Sequence, residues 1–409
     1  MSNLVGPVIK KLIDKKGPIT FAEFMRIALY EPGVGYYSSK SPIGQAGDYF
    51  TSPTAHPVFG FLISLQIRIM WESIGRPPKF FVVEIGSGNG LLAKDILNYI
   101  QFENDPFKEA LNYITIDRTI SHSDNLSLMN LQKILSDRIP LSNIEGCFIS
   151  NELIDAFPVH RFKIQNGTLK EIFVSLDHNR DFVEIIENPS TEKILDRISN
   201  VMPVLPENFV GEVNLDINPW VKEVSRALKR GFVITIDYGH LSNELYSPIR
   251  SSGTIQTYYK HANGFSPYEN IGNQDITAHV DFSQLISEGD YYGLNPIMLG
   301  TQSEYLKKMG FMKIYNTLRN TDMNLVEKQA NMMGMLELIR PEGLGSFKIL
   351  IQEKGSGISE FTELLPIVET NFRTKLPILE SHHMPLLQGK YPHLQSFQNE
   401  PWDYPREIE

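Results

Sequence analysis

Residues 80–97, FFVVEIGSGNGLLAKDIL, constrain this chain more than any other stretch: an apolar strand broken only by Glu84 enters a glycine turn and leaves it as an amphipathic helix. A strand this apolar is buried on both faces, which a parallel sheet between two layers of helices provides. The alternation recurs downstream. YITI ending at Asp117, GCFISNEL ending near Asn151 and FVITIDYG ending near Gly239 read as further strands, with LSLMNLQKIL and INPWVKEVSRALKRG as the helices between them. FMKIYNTL and FKILIQEK read as a closing pair of strands. The fold class expected is α/β, with a mostly parallel sheet covered on both faces.

Around this core the pattern changes. Leu4, Val8 and Leu12, then Phe21, Phe24, Met25, Ala28 and Leu29, recur at helical spacing, so two short helices start the chain. A Gly- and Pro-rich aromatic loop follows over residues 31–53, of a kind that is often functional. Residues 159–188 alternate apolar and polar around NG and HNRD turns and read as a small antiparallel meander. Residues 239–277 read as a long ordered loop, and the tail holds a short helix around 359–375 with His382 and His383 on its surface. The expected division is an N-terminal helical segment and covering loop at 1–57, a main domain at 58–354 with the β insertion, and a C-terminal extension at 355–409.

Composition narrows the function. A net charge of −10 argues against a surface built for nucleic-acid backbone, which needs clustered Lys and Arg. One cysteine, Cys147, permits neither an internal disulfide nor a cysteine-based metal site and favours a reducing compartment. No stretch reaches the roughly 18–20 apolar residues of a membrane span. The first 25 residues carry four lysines, but Asp14 and Glu23 interrupt the basic face, so the expectation is a cytoplasmic protein.

Ligands of such sheets bind at the carboxyl ends of the strands. That rule gathers the turn from Gly86 to Gly90, Asp117, Asn151 to Asp155, and Asp237 around one crevice. The turn reads G-x-G-x-G. A dinucleotide turn has its third glycine one residue later, and Glu84 ahead of it would repel pyrophosphate but suit the cationic end of S-adenosylmethionine. Asp117 has the place of an acid that accepts from ribose hydroxyls. Glu152 and Asp155 would share a side if a helical turn followed, and two carboxylates there can accept from a guanidinium or orient an amine. Asp275, His279 and Asp281 in DITAHVDF could be read as metal ligands, but beyond the Asp275–His279 pair, which fits one helix face, no third and fourth ligand is evident, so no metal is expected. No nucleophile elbow and no phosphate-binding Walker sequence occurs.

The chain resembles the MidA-like family of class I S-adenosylmethionine-dependent methyltransferases, whose mitochondrial members methylate arginine on a subunit of a respiratory complex. The resemblance lies in FMRIALYEPGVGYY (24–37), GDYFTSP (47–53), VEIGSGNGLLAKDIL (83–97), NELIDAFPVHRF (151–162), ITIDYG (234–239), QDITAHVDFSQL (274–285) and GLGSFKILIQEK (343–354). It implies a Rossmann-like sheet of seven strands, the last antiparallel, with S-adenosyl-L-methionine as cofactor and a protein arginine as acceptor. Donor binding carries onto Glu84, Gly86, Ser87, Gly88, Asn89, Gly90, Asp117 and Asn151, with Asp48 and Thr51 in the covering loop. Relatives usually have Pro at the position of Ser87, Arg at that of Asn89 and Glu at that of Asp117. The catalytic pair expected is Glu152 with Asp155, and Asp237, Tyr238, His279 and Asp281 are expected to position the acceptor. A donor-binding assembly factor without turnover, a small-molecule methyltransferase and a homodimeric state stay open.

Overall fold

The computed structural model describes residues 4–39, 51–101, 106–119, 130–199, 205–259, 262–366, 376–380 and 383. Seven strands form the central sheet: β1 (Phe80–Ile85), β2 (Leu111–Asp117), β3 (Leu131–Leu135), β4 (Ile144–Asn151), β5 (Leu228–Asp237), β6 (Asn295–Thr301) and β7 (Lys348–Lys354). Their spatial order is β6-β7-β5-β4-β1-β2-β3, with β7 antiparallel to both of its neighbours. The order reverses between β1 and β4, which opens a crevice at their carboxyl ends.

The flanking helices are α1 (Val5–Lys16), α2 (Phe21–Tyr30), α3 (Val58–Ser73), α4 (Leu91–Gln101), α5 (Ile217–Ala227), α6 (Phe282–Tyr291), α7 (Phe311–Arg319) and α8 (Leu325–Leu338). One face of the sheet packs Val82, Tyr113, Cys147 and Ile234 against α3, α4, α7 and α8; the other packs Val83, Ile114, Phe148 and Val233 against α5 and α6. Among the described residues no helix is long and apolar enough to cross a membrane.

The meander forms strands His160–Gln165, Thr168–Leu176 and Phe182–Glu187, completed by Val210–Val213 and by Ile19–Thr20 from the N-terminal segment. Through that pairing α1 and α2 lie against the insertion: Val5, Ile9, Phe21, Phe24 and Met25 share a buried cluster with Val159, Val174, Ile276 and Ala278. The N-terminal segment is thereby fixed over the carboxyl ends of the sheet.

Several expectations from sequence need correction. Residues 311–318 are helix, because Phe311, Ile314 and Leu318 follow a period of three to four and bury one side; the partner of β7 is β6. Within LSLMNLQKIL, residues 131–135 are the edge strand β3, recruited by pairing with β2, and residues 126–129 lie outside the described residues. The loop at 239–277 contains paired strands at Gln256–Tyr259 and Asp275–Thr277. The tail has a single 3₁₀ turn at Phe361–Leu364 before residues that are not described.

His383 is buried rather than on the surface, while His382 lies outside the described residues. Its Nε2 meets Asp95 Oδ2 at 2.9 Å, and Asp95, on α4 just behind the glycine turn, is equally buried. Burial holds the Asp95 carboxyl above its ordinary range. His383→Ala strands that acid without its partner and is expected to cost about 3 kcal/mol of folding stability, seen as a lower urea midpoint. An unchanged midpoint would remove the tail from the structural core.

Candidate active site

At the end of β1 the chain turns through Gly86 at φ +73° and Gly88 at φ +54°, conformations that L side chains resist. A Cβ on Gly86 would stand 2.7 Å from Leu153 Cδ1, so the turn and the loop after β4 fit closely. Gly88 N–H donates to Asp117 Oδ2 at 3.0 Å, and Thr119 N–H to Asp117 Oδ1 at 3.1 Å. Asp117 therefore holds the turn while remaining at the mouth of the crevice. Asn89 Oδ1 accepts from Leu91 N–H at 3.1 Å and starts α4. Ser87 shapes the same turn, its carbonyl accepting from Gly90 N–H at 2.8 Å.

Glu84 sits one strand residue before the turn, buried, with Oε2 accepting from the Tyr113 hydroxyl at 2.8 Å. Burial, with a contribution from the Asp117 charge, pushes its carboxyl up to about 8. A cation placed beside it would draw it back toward the ionised form.

The loop after β4 carries the other half of the site. Asp237, fully buried at the end of β5, accepts at Oδ2 from the N–H groups of Leu153 (3.2 Å), Ile154 (2.9 Å) and Asp155 (3.3 Å), and at Oδ1 from Tyr238 N–H (2.9 Å). These bonds impose a tight loop in place of the helical turn that would set Glu152 beside Asp155. Glu152 takes φ +50°, uncommon for a side-chain-bearing residue, and its N–H donates to Ile236 O at 2.8 Å. Strain of this kind persists where surrounding bonds over-determine it. Asp237 is thus the anchor of the loop rather than a group reaching an acceptor.

Glu152 Oε1 accepts from Asn151 Nδ2 at 2.9 Å and, more weakly, from Ser52 N–H at 3.4 Å. Burial and the neighbouring Asp155 charge push Glu152 up to about 8, and burial raises Asp155 to about 6. Neither has a Lys or Arg partner among the described residues. Asn151 Oδ1 is buried without a hydrogen-bond partner, and the Tyr238 hydroxyl lies between the Asp155 carboxyl and the Thr277 hydroxyl, all three buried and only loosely satisfied by one another. Buried polar atoms in folded proteins are nearly always well paired, so this under-satisfied group marks where a polar guest belongs.

Other expected residues are placed differently. Asp281 is the N-cap of α6, accepting from Gln284 N–H and the Ser242 hydroxyl and pairing with Arg197; its carboxylate is fully engaged in structure. His279 stacks edge-on against Tyr238 with centroids 5.2 Å apart, and burial lowers its imidazole to about 4, so it is neutral at pH 7. Thr51 caps the short helix Ser52–Ala55, at 4 % exposure, with Oγ1 of Thr54 accepting from its N–H. Asp48 lies outside the described residues. Sequence reasoning missed Tyr30, Tyr37 and Tyr258, which line the crevice. The Tyr30 hydroxyl donates to Ala156 O at 2.7 Å and the Tyr37 hydroxyl to Asp275 at 2.9 Å. Tyr30 and Tyr37 stand in the YEPGVGYY string, whereas Tyr258 lies in the strand Gln256–Tyr259. Among the described residues no group of three or more His, Cys, Asp or Glu side chains has the geometry of a metal site.

A strained glycine turn, a buried acid before it and an acid at the tip of the next strand thus stand together at the carboxyl ends of β1 and β2. Residues 62–298 match the protein family described as "Putative S-adenosyl-L-methionine-dependent methyltransferase". The chain belongs to this family. Its relatives include the mouse protein named protein arginine methyltransferase NDUFAF7, mitochondrial, 27% identical over 384 residues that cover 84% of this chain and 83% of the mouse protein. The human protein of the same name is 26% identical and covers 84% and 82%. A Burkholderia thailandensis protein, solved bound to S-adenosyl-homocysteine, superposes with a TM-score of 0.77 at 24% identity, covering 88% of this chain and 94% of that one. The chain is thus a class I S-adenosyl-L-methionine-dependent methyltransferase in family and fold, as its sequence motifs imply. In this methyltransferase the glycine turn and Asp117 stand at the carboxyl ends of β1 and β2, with Glu84 buried behind the turn, and Glu152 and Asp155 lie on the loop after β4.

Proposed function

We propose that this methyltransferase transfers the methyl group of S-adenosyl-L-methionine to a guanidinium nitrogen of an arginine in a protein. The observation that carries the reading is the pair of neighbouring carboxyls, Asp155 buried and Glu152 half-buried, with no cationic partner among the described residues and with the unpaired Oδ1 of Asn151 beside them. A charge held this way is costly unless a guest neutralises it, and a guanidinium presents a planar fork of donors that matches carboxylates. The names of the curated relatives support the same acceptor.

The donor supplies a methyl group already activated by its sulfonium. The chain's own residues have three tasks. The turn at Gly86 and Gly88, with Glu84 and Asp117, binds and orients the donor. Glu152, set by its strained backbone and by Asn151, accepts from the acceptor's N–H groups and localises electron density on the nitrogen that attacks. Asp155, raised by burial to about 6 and beside Tyr238, takes the proton that the product releases. The N-terminal segment excludes water above them, which favours transfer over hydrolysis.

We further propose a protein rather than a small molecule as acceptor, and the cytoplasm as compartment, the latter on the single cysteine buried in β4. The relatives' names place those proteins in mitochondria. Incubation with donor labelled on the methyl group and a lysate of the same cells, followed by acid hydrolysis, is expected to yield labelled methylarginine. Label confined to small molecules would support the small-molecule alternative. Donor binding without any transfer would support a non-catalytic assembly factor.

A further inference from the structure

The strand Asp275–Thr277 lies against the loop that carries Glu152 and Asp155. Ala278 N–H donates to Asp155 O at 2.9 Å, and the buried Thr277 hydroxyl lies beside that of Tyr238. Asp275 stands two residues earlier on the same face of the strand, opposite Tyr258 in the antiparallel pair, and is itself 2 % exposed. Asp275 is linked to the Glu152–Asp155 loop by a chain of contacts, its carboxylate to the Tyr37 hydroxyl, Tyr37 to Tyr30 and the Tyr30 hydroxyl to Ala156 O, while Tyr258 pairs with it across the strands.

Asp275 is held from outside the sheet domain. The Tyr37 hydroxyl shares its proton between Asp275 Oδ1 and Oδ2, each at 2.9 Å, and Ile276 N–H donates to Oδ1 at 2.9 Å. Tyr37 stacks on Tyr30 with centroids 5.5 Å apart and planes inclined by 18°, and Tyr30 is tied to the Glu152–Asp155 loop through Ala156. The N-terminal segment reaches the acceptor side through these two tyrosines. Tyr37 lies outside the residues that match the family, 62–298.

We propose that Asp275, oriented by Tyr37, is a third acidic arm of the acceptor subsite, so that the N-terminal segment sets the preference for a planar guanidinium over a compact ammonium. Two or three carboxylates on different elements can each take one edge of a guanidinium, whereas an ammonium satisfies them poorly at the same spacing. Asp275 touches the acceptor, and Tyr37 is a positioning residue that acts through it. The inference rests on the arginine reading above.

The test uses the full chain saturated with S-adenosyl-homocysteine and titrated with two probes, N-acetyl-arginine methylamide and its lysine counterpart. The unaltered protein is expected to bind the arginine probe more tightly than the lysine one. Tyr37→Phe is expected to weaken the arginine probe about tenfold, the loss of one hydrogen bond to a charged group, and Asp275→Asn to remove the preference altogether. Binding of S-adenosyl-homocysteine stays within about twofold of the unaltered protein in both variants, which also reports an intact fold. An arginine preference kept by both variants overturns this inference alone. A fall in S-adenosyl-homocysteine affinity in either variant also overturns it, since it would place the pair on the donor side. An unaltered protein without any arginine preference overturns the acceptor reading together with this inference.

Discussion

Glu152→Gln is expected to lower methyl transfer by at least about 10²-fold while donor affinity stays within about threefold. Glutamine is nearly isosteric, keeps an oxygen for the Asn151 Nδ2 bond and for Ser52 N–H, and has a similar tolerance for the φ of +50°. The substitution removes a charge and little else. Donor affinity measured by calorimetry and transfer measured with labelled methyl groups, on the same preparation, separate the two effects. Unchanged transfer in this variant would show that Glu152 is a structural acid.

The same variant has a signature in stability. Burial raises Glu152 from an ordinary 4.5 to about 8 in the folded protein, so between those values the folded state binds more protons than the unfolded one. Stability is then greatest below the ordinary value and is lost as pH rises toward about 8. Glu84 acts in the same direction over the same window. In the absence of donor the melting temperature is expected to fall from pH 5 to pH 8, less steeply in Glu152→Gln because one of the two acids is gone. A donor or acceptor cation that restores the ionised form flattens the curve further.

Gly88→Val is expected to reduce donor affinity by at least about 100-fold. Gly88 lies at φ +54°, where a β-branched residue is a true outlier, and its N–H is the one that Asp117 holds at 3.0 Å. Relief of that strain re-routes the turn, and Asp117 and the start of α4 move with it. The far-UV spectrum is expected to be nearly unchanged, since the strands and helices keep their own backbone hydrogen bonds when the turn is re-routed. Retained donor affinity would move the donor pocket elsewhere.

What the sequence made legible follows from the length scale of each signal. Strand and turn at residues 80–90 are local: apolar run, glycines and acid are adjacent, and the crevice end of β1 is where they indicate. Asp117, Asn151, Glu152 and Asp237 were found because each closes an apolar strand. Their individual tasks were not visible, because Asp237's role consists of bonds to Leu153, Ile154 and Asp155, more than eighty residues away. Asp281 looked free for a substrate, and only its contacts with Arg197 and Ser242 show that it is a cap and ion-pair partner. His383 looked exposed because a buried histidine in a tail needs a distant acid, Asp95, that no local pattern announces. Residues 311–318 were misassigned because aromatic and β-branched residues favour strands while their spacing favours a helix, and packing settled the choice in favour of spacing.

The central claim is that the crevice between β1 and β4 holds a cationic methyl donor rather than a dinucleotide. Calorimetric titration of the full chain with S-adenosyl-L-methionine and, separately, with NAD tests it most directly. A saturable 1:1 heat is expected with S-adenosyl-L-methionine and none with NAD, with a proton released to buffer near pH 7 as Glu84 ionises beside the bound cation. Saturable binding of NAD with none of S-adenosyl-L-methionine would contradict it.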